Sequence, residues 1–478
     1  MNAYAKYTIL KQSFIIRTGR LCLHFREAIA GTEQDFTTGR LGRAIFLLSI
    51  PMSLEMLMES IFAVVDIYFV SKLGPDAIAT VGITESMITI VYAIAFGLST
   101  ATSSMVSRRI GEKNHEGASL AAFQAILTGL IVSVAIAVPG LIFSRKLLRI
   151  MGASPVIVNE MWSFTAIMIG GNSIIMLLFI INSIFRSAGD AAVSMRVLWM
   201  GNLINIVLDP LLIFGIGPFP EMGVTGAAVA TTTGRGLAVL FQLYLLFNGR
   251  KRVRLAVRHL RVDWKIMHTL VKLSLGGIGQ HIIATSSWIG LVRIISEFGS
   301  IVVAGYTIAL RIIVFALLPS WGLSNAASTL VGQNLGANKP IRAERSVWIT
   351  GWINMVFLGS LGLILILFSE FFIRLFIADP AVIASGCEGL RIISLGFIAY
   401  GFGMVLVNSM NGAGDTVSPT LINIFCYWLL EIPLAYFLAF YMGMRENGVF
   451  ISILVAESVM TFSAFWVFRM GKWKLKRV

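Results

Sequence analysis

Residues 44–70 read AIFLLSIPMSLEMLMESIFAVVDIYFV. The stretch is long and apolar enough to cross a bilayer. It nevertheless carries three carboxylates, Glu55, Glu59 and Asp66. At about 100° per residue, the steps from Glu55 to Glu59 and from Glu59 to Asp66 return to one helix face. An acid at the bilayer centre costs about 3 kcal/mol even on the most lenient insertion scale. The stripe must therefore face a bundle interior or a water-filled cavity. It serves there either as polar glue between helices or as a site.

Working outward, the 478 residues are 57% hydrophobic and 13% charged, with a mean hydropathy of +0.83. No soluble core buries that much apolar surface, so the chain is an all-α polytopic membrane protein. Its 45 glycines suit closely packed membrane helices. The net charge of +14 sits between apolar segments and carries topology rather than a nucleic-acid partner. Cys22, Cys387 and Cys426 are scattered, and the five histidines form no HxxxH or HExxH pattern. No disulfide framework, structural metal centre or catalytic constellation is expected, so the chain reads as a non-enzyme. His281 falls inside a span as a packed or cavity-lining residue. Residues 1–40 are interrupted by Lys11, Arg17, Arg20 and Arg26, which argues against a signal-peptide core.

Apolar windows give twelve spans. Six lie near 44–70, 78–106, 120–143, 157–184, 193–216 and 223–247. Six more lie near 267–296, 302–332, 346–368, 381–407, 417–442 and 448–469. Basic residues cluster after span six (Arg250, Lys251, Arg252, Arg254, Arg258, Arg261, Lys265), after span two (Arg108, Arg109, Lys113) and at the end (Lys472, Lys474, Lys476, Arg477). These share one side if both termini are cytoplasmic, and the chain is then a multi-pass plasma (inner) membrane protein. Arg145, Lys146 and Arg149 after span three are the exception.

The chain also matches itself at a shift of 225. Gly74 meets Gly299, Ala188-Gly189-Asp190 meets Ala413-Gly414-Asp415, and Gly223-Val224 meets Gly448-Val449. Six spans per half give both halves one orientation, a parallel repeat. The expected organisation is an N-terminal cytoplasmic extension (1–43), an N-lobe (44–247), a basic cytoplasmic linker (248–266), a C-lobe (267–470) and a basic tail (471–478). The shift turns the N-lobe acids into neutral residues: Glu55 to Gln280, Glu59 to Ala284, Asp66 to Leu291, Glu85 to Leu310 and Asp209 to Leu434. That asymmetry points to a cation or proton site in the N-lobe alone.

Span five reads WMGNLINIVLDPLLIFG, with Asn202, Asn205 and Asp209 on one stripe. Pro210 removes a backbone donor, frees a carbonyl and favours a bend. Carboxylate, carboxamides and a freed carbonyl suit a proton or a small hard cation. Asp66 and Asp209 are expected to face one another. Two carboxylates sharing a dry site do not easily both ionise, which makes a proton trap, and the same pair could neutralise Na⁺. Glu55, Glu59, Glu85, Asn202, Thr231 (with Thr232), Gln280 and Tyr306 are the expected cavity-lining residues, with Trp288 and Trp321 beside the central cleft. Glu297 is expected to pair with Arg293, while Glu388 and Glu431 are the acids of spans ten and eleven. GGIGQ at 276–280 lies within an apolar span and is no phosphate loop.

With these residues the chain resembles a multidrug and toxic compound extrusion (MATE) transporter. The resemblance rests on Pro51, Val65-Asp66 and Leu73-Gly74, on Val331-Gly332-Gln333-Asn334-Leu335-Gly336-Ala337, and on the repeated Ala-Gly-Asp and Gly-Val. It covers about residues 44–470. It implies two six-helix lobes in a V and a cleft for amphiphilic, usually cationic, small molecules. It also implies export coupled to H⁺ or Na⁺ by alternating access, with no cofactor beyond that ion. The resemblance places the cation site at Asp66, Asn205 and Asp209, in agreement with the stripe. Some family members use acids on spans seven and ten. Here Gln280 stands instead and no acid occupies the middle of span seven, so no C-lobe cation site is expected. A lipid-linked precursor flippase of the same superfamily is the alternative, but it needs a basic cleft. A major facilitator transporter is a third candidate on architecture alone. Twelve spans enclose a pathway, so a monomer suffices.

Overall fold

A chain surrounded by hydrocarbon must satisfy its own backbone, and the helix is the way to do so within one segment. The computed structural model describes residues 23–31, 34–248 and 252–478. Lys11, Arg17, Arg20, Cys22, Arg250 and Lys251 lie outside the described residues.

We number the spans α1 to α12. The N-lobe comprises α1 (Leu41–Ser71), α2 (Pro75–Gly111), α3 (His115–Ile150), α4 (Trp162–Ala188), α5 (Ala191–Phe214) and α6 (Val224–Asn248). The C-lobe comprises α7 (Trp264–Ser296), α8 (Ser300–Gly336), α9 (Pro340–Leu367), α10 (Pro380–Leu395 with Phe397–Gly412), α11 (Val417–Tyr441) and α12 (Arg445–Arg469). At 37 residues each, α2 and α8 are about 55 Å long and outrun the hydrocarbon. So does α3, and Arg145 and Lys146, like Arg149, lie on its last turns rather than in a loop. There Arg145 stacks over the Trp162 ring at 4.5 Å. The flank of α3 exposes Ile131, Val134, Val138 and Ile142, an arrangement suited to lipid and costly in water.

Helix starts follow local chemistry. Asn114 caps α3 by accepting the Gly117 N–H at 2.8 Å, and Asp263 caps α7 by accepting from Lys265 and Ile266. Pro75, Pro340 and Pro380 stand in the first turns of α2, α9 and α10, where no N–H is needed.

The repeat holds at the level of the backbone. Gly74 and Gly299, the residues preceding α2 and α8, have φ of 100° and 101°, a region closed to side-chain-bearing residues. The fourth span of each half breaks at a matched position, Gly171 in α4 and Gly396 in α10, where the bend is 54°. The proline in α5 does not interrupt the helix, which runs through Pro210 to Phe214. In α11 the turns widen to π type over Ile424–Glu431 and Phe437–Tyr441.

Both lobes meet at the end of the bundle where α1 begins and α12 finishes, here called the terminal side. A β-carbon at Gly111 would collide with the Gln333 carbonyl, and one at Gly336 with the Arg108 carbonyl, so the ends of α2 and α8 cross in direct backbone contact. Gln333 Nε2 donates to the Ser187 carbonyl at 2.8 Å, and Ser53 Oγ to the Pro319 carbonyl at 2.9 Å. Chain ends add to the closure. Carbonyls of residues 36–39 accept hydrogen bonds from Lys339 and Arg342 of the C-lobe, while Phe36 is buried against Gly189. From the other end, the Lys476 carbonyl accepts from Arg108 of the N-lobe, and Trp473 is buried on Phe468. Burial works against the Asp35 charge, but the Thr37 hydroxyl and amide, both donating to it, hold its carboxyl below the usual range.

Candidate functional site

The acidic stripe of α1 meets three different environments. Glu55 is 1% exposed and pairs with Arg186 of α4 at 2.7 Å. Glu59 pairs with Arg235 of α6 at 2.5 Å and accepts from Asn202 Nδ2 of α5 at 3.1 Å. Arg235 also donates to the Tyr92 hydroxyl at 3.2 Å and lies over the Phe62 ring at 4.9 Å, tying α1, α2, α5 and α6 together. Asp66, one stripe position further, has no ion pair among the described residues, and its Oδ1 is buried without a hydrogen-bond partner there.

Opposite it, α5 presents Asn202, Asn205 and Asp209, each fully buried. Asn205 Nδ2 donates to Thr231 Oγ1 of α6 at 3.0 Å and reaches Asp209 Oδ1 at 3.4 Å. Asp66 and Asp209 are close enough to repel one another. Oxygens without a hydrogen-bond donor gather here: Asp66 Oδ1, Asn202 Oδ1, Asn205 Oδ1 and Asp209 Oδ2. Pro210 adds a freed carbonyl, that of Ile206, because its ring carries no N–H. Buried acceptor atoms without a donor are expensive unless a proton or cation satisfies them.

A second feature lies between the lobes. It is a cavity of about 250 Å³ against α1, α2, α4, α7, α8, α10, α11 and α12. One wall is aromatic: Phe96 packs on Phe179 at 4.9 Å, stacks on His281 at 5.1 Å and meets Trp321 edge-on. The other wall carries amides, with Gln280 and Asn411 exchanging hydrogen bonds at 2.9 and 3.1 Å. Its basic lining residue is Arg186, already paired with Glu55. The central helix α1 thus reaches the cavity through Met56 and the Glu55–Arg186 pair, and the acceptor cluster through Asp66.

The residues expected to line a cavity divide. Gln280 lines the cavity between the lobes. Glu55, Glu59, Asn202 and Thr231 belong to the N-lobe polar network instead. Glu85 is exposed, within electrostatic range of Arg311 on α8. Tyr306 is fully buried and stacked on Phe450. Trp288 is 42% exposed and Trp321 lines the cavity. Glu297 pairs with Arg293 at 2.6 Å, and Glu388 is exposed, accepting from Asn447. The GGIGQ glycines belong to a helix crossing, with Gly277 packed directly on Gly97 of α2. Sequence reasoning missed Arg186, Arg235 and Glu457. The signal was present, since two arginines within apolar spans call for acidic partners.

Two six-helix lobes in parallel orientation, a polar pocket within one and a cavity between them define a polytopic membrane transporter. A profile of the MatE family matches residues 51–211 and 278–437, so the chain belongs to that family. Probable multidrug resistance protein YoeA of Bacillus subtilis (strain 168) is 24% identical over 441 residues, 91% of this chain and 95% of its own length. An FAD transporter of Shewanella oneidensis is 25% identical over 431 residues, 89% of this chain and 94% of its own. A solved structure described as the outward-facing conformation of a multidrug resistance MATE family transporter superposes with a TM-score of 0.87. It is 26% identical and covers 93% of this chain and 99% of its own. The chain is a transporter of small molecules in a membrane and not an enzyme, and several of the proteins it resembles are named for multidrug resistance or export.

Proposed function

We propose that the protein is a secondary antiporter in the plasma membrane, exporting amphiphilic, cationic organic compounds in exchange for H⁺ or Na⁺. The observation that carries the proposal is the acceptor cluster of Asp66, Asn202, Asn205 and Asp209, which has two carboxylates and, among the described residues, no ion pair. Glu55 and Glu59 have arginines of their own and do not need a mobile cation. Binding a proton or Na⁺ at Asp66 and Asp209 relieves their repulsion and draws α1 toward α5. Since α1 also holds Arg186 through Glu55, that movement reaches the wall of the central cavity. Flat, apolar, positively charged cargo suits that wall, with its Phe96, Phe179 and Trp321 rings and its amides.

Both termini are cytoplasmic in this reading, so the backbone contacts of the terminal side close the cytoplasmic entrance. A monomer carries the whole pathway. The flippase alternative is disfavoured because the cavity offers no unpaired lysine or arginine among the described residues. The test is efflux of an organic-cation dye from proteoliposomes under a Na⁺ gradient or a pH gradient imposed separately. Efflux driven by one of them supports the proposal and names the ion. An absence of efflux under both overturns it.

A further inference from the structure

Two acids inside the last two spans of the C-lobe, Glu431 and Glu457, have no cationic partner among the described residues. Glu431 of α11 is 1% exposed, and its Oε2 lies 2.6 Å from Ser287 Oγ of α7. Glu457 of α12 accepts from the Tyr427 hydroxyl at 3.2 Å through Oε1, and its Oε2 is buried with no hydrogen-bond partner. The two carboxyls are near enough to repel one another. The titratable groups facing them are Tyr306 of α8, Tyr400 of α10, and Cys426 and Tyr427 of α11. Among the described residues no lysine, arginine or histidine pairs with either acid, unlike Glu55 and Glu59 in the N-lobe.

The hydrogen bonds themselves ask for a proton. Ser287 Oγ lies 2.6 Å from a Glu431 oxygen and 3.2 Å from the Tyr427 carbonyl, which are two acceptors for the one hydrogen of a hydroxyl. A proton on Glu431 resolves the conflict: the carboxylic acid donates to Ser287, and Ser287 donates to the carbonyl. Tyr306, at 0% exposure and within electrostatic range of Glu431, leaves its hydroxyl unpartnered beside them.

The repeat gives these acids a place. Subtracting 225 carries Glu457 onto Thr232, beside the Thr231 that accepts from Asn205. The same step carries Glu431 onto Ile206, beside Asn205 and three residues before Asp209. The C-lobe therefore bears acids on the two helices, α11 and α12, that correspond to α5 and α6. Both acids stand next to the positions matched to the N-lobe polar residues rather than on them. Tyr400 and Tyr427 line the central cavity, as does Met460, one turn from Glu457 on α12, so the pair lies just behind its wall.

We propose that Glu431 and Glu457 form a second proton-binding site, in the C-lobe, that exchanges its proton with the central cavity past Tyr427. One proton moves from cavity water to a carboxylate oxygen, and no other bond changes. This site stands whether or not the N-lobe cluster drives export.

The test uses the purified full-length protein. Dicyclohexylcarbodiimide attacks protonated buried carboxyls, and peptide mass spectrometry locates the adduct. Wild type is expected to be labelled at Glu431 or Glu457 at neutral pH, with labelling falling as pH rises. In the Asp66→Asn/Asp209→Asn variant this labelling is expected to persist, which separates the two sites. Infrared spectra of that variant should show a protonated-carboxyl band that shifts in D₂O, weakens in Glu457→Gln and vanishes in Glu431→Gln/Glu457→Gln. The proposal is overturned if neither acid is labelled at any pH, if the band ignores both substitutions, or if added Na⁺ at fixed pH abolishes labelling. The labelling arm needs no substitution, so it decides even if the double Gln variant fails to fold.

Discussion

Replacing Glu55 by Gln asks whether the first acid of the stripe is held by Arg186. Their charged atoms are 2.7 Å apart, with side-chain exposures of 1% and 12%, so screening by water is slight. Unit charges with centres about 4 Å apart attract by about 4 kcal/mol at an effective dielectric of about 20. Desolvation offsets much of that gain, so the net worth of the pair is small. The variant tells a different story, because it leaves the Arg186 guanidinium buried beside a neutral amide. We expect Glu55→Gln to lose about 3–5 kcal/mol of stability. Neutralising both, in Glu55→Gln/Arg186→Met, should return the protein to within about 1 kcal/mol of wild type. Denaturant titration in detergent, followed by tryptophan fluorescence, completes the double-mutant cycle, with a coupling energy of at least about 2 kcal/mol expected. A Glu55→Gln variant as stable as wild type, or strictly additive costs, would refute the pairing and return Glu55 to a role in binding cargo.

Two further outcomes concern the terminal side. Trp473→Ala removes a ring that is 1% exposed and stacked on Phe468 at 4.7 Å, and should cost about 3–5 kcal/mol in the same titration. Gly336→Val places a side chain against the Arg108 carbonyl, so the ends of α2 and α8 can no longer touch. A cysteine pair at Lys113 and Asn338 should crosslink readily in the otherwise wild-type protein and poorly with Gly336→Val; equal crosslinking would place the closure elsewhere.

Much of this architecture was legible in the sequence because the bilayer imposes it. A span of apolar residues has one way to satisfy its backbone, so the twelve windows correspond, among the described residues, to eleven membrane-length helices and one pair bent by 54°. The stripe of Asn202, Asn205 and Asp209 was legible because helical spacing alone puts them on one face. What that face meets depends on tertiary packing. Nothing in the spacing says that Arg186 and Arg235, from α4 and α6, claim Glu55 and Glu59 and leave Asp66 over. Glu457 escaped notice for a related reason: its neighbours come from other helices, and its repeat partner is a threonine. Likewise, the insertion of residues 36–39 between the lobes is made by backbone carbonyls, which carry no signature in residue type.

In the proposed mechanism, cation binding at Asp66 and Asp209 drives export through the cavity. It is tested most directly with Asp66→Asn and Asp209→Asn in proteoliposomes, comparing gradient-driven dye efflux with dye exchange at equal concentration on both sides. Both variants should fold, retain exchange and lose uphill efflux, because the cavity is intact and the acceptor cluster no longer senses the ion. Full uphill efflux in either variant would contradict the account.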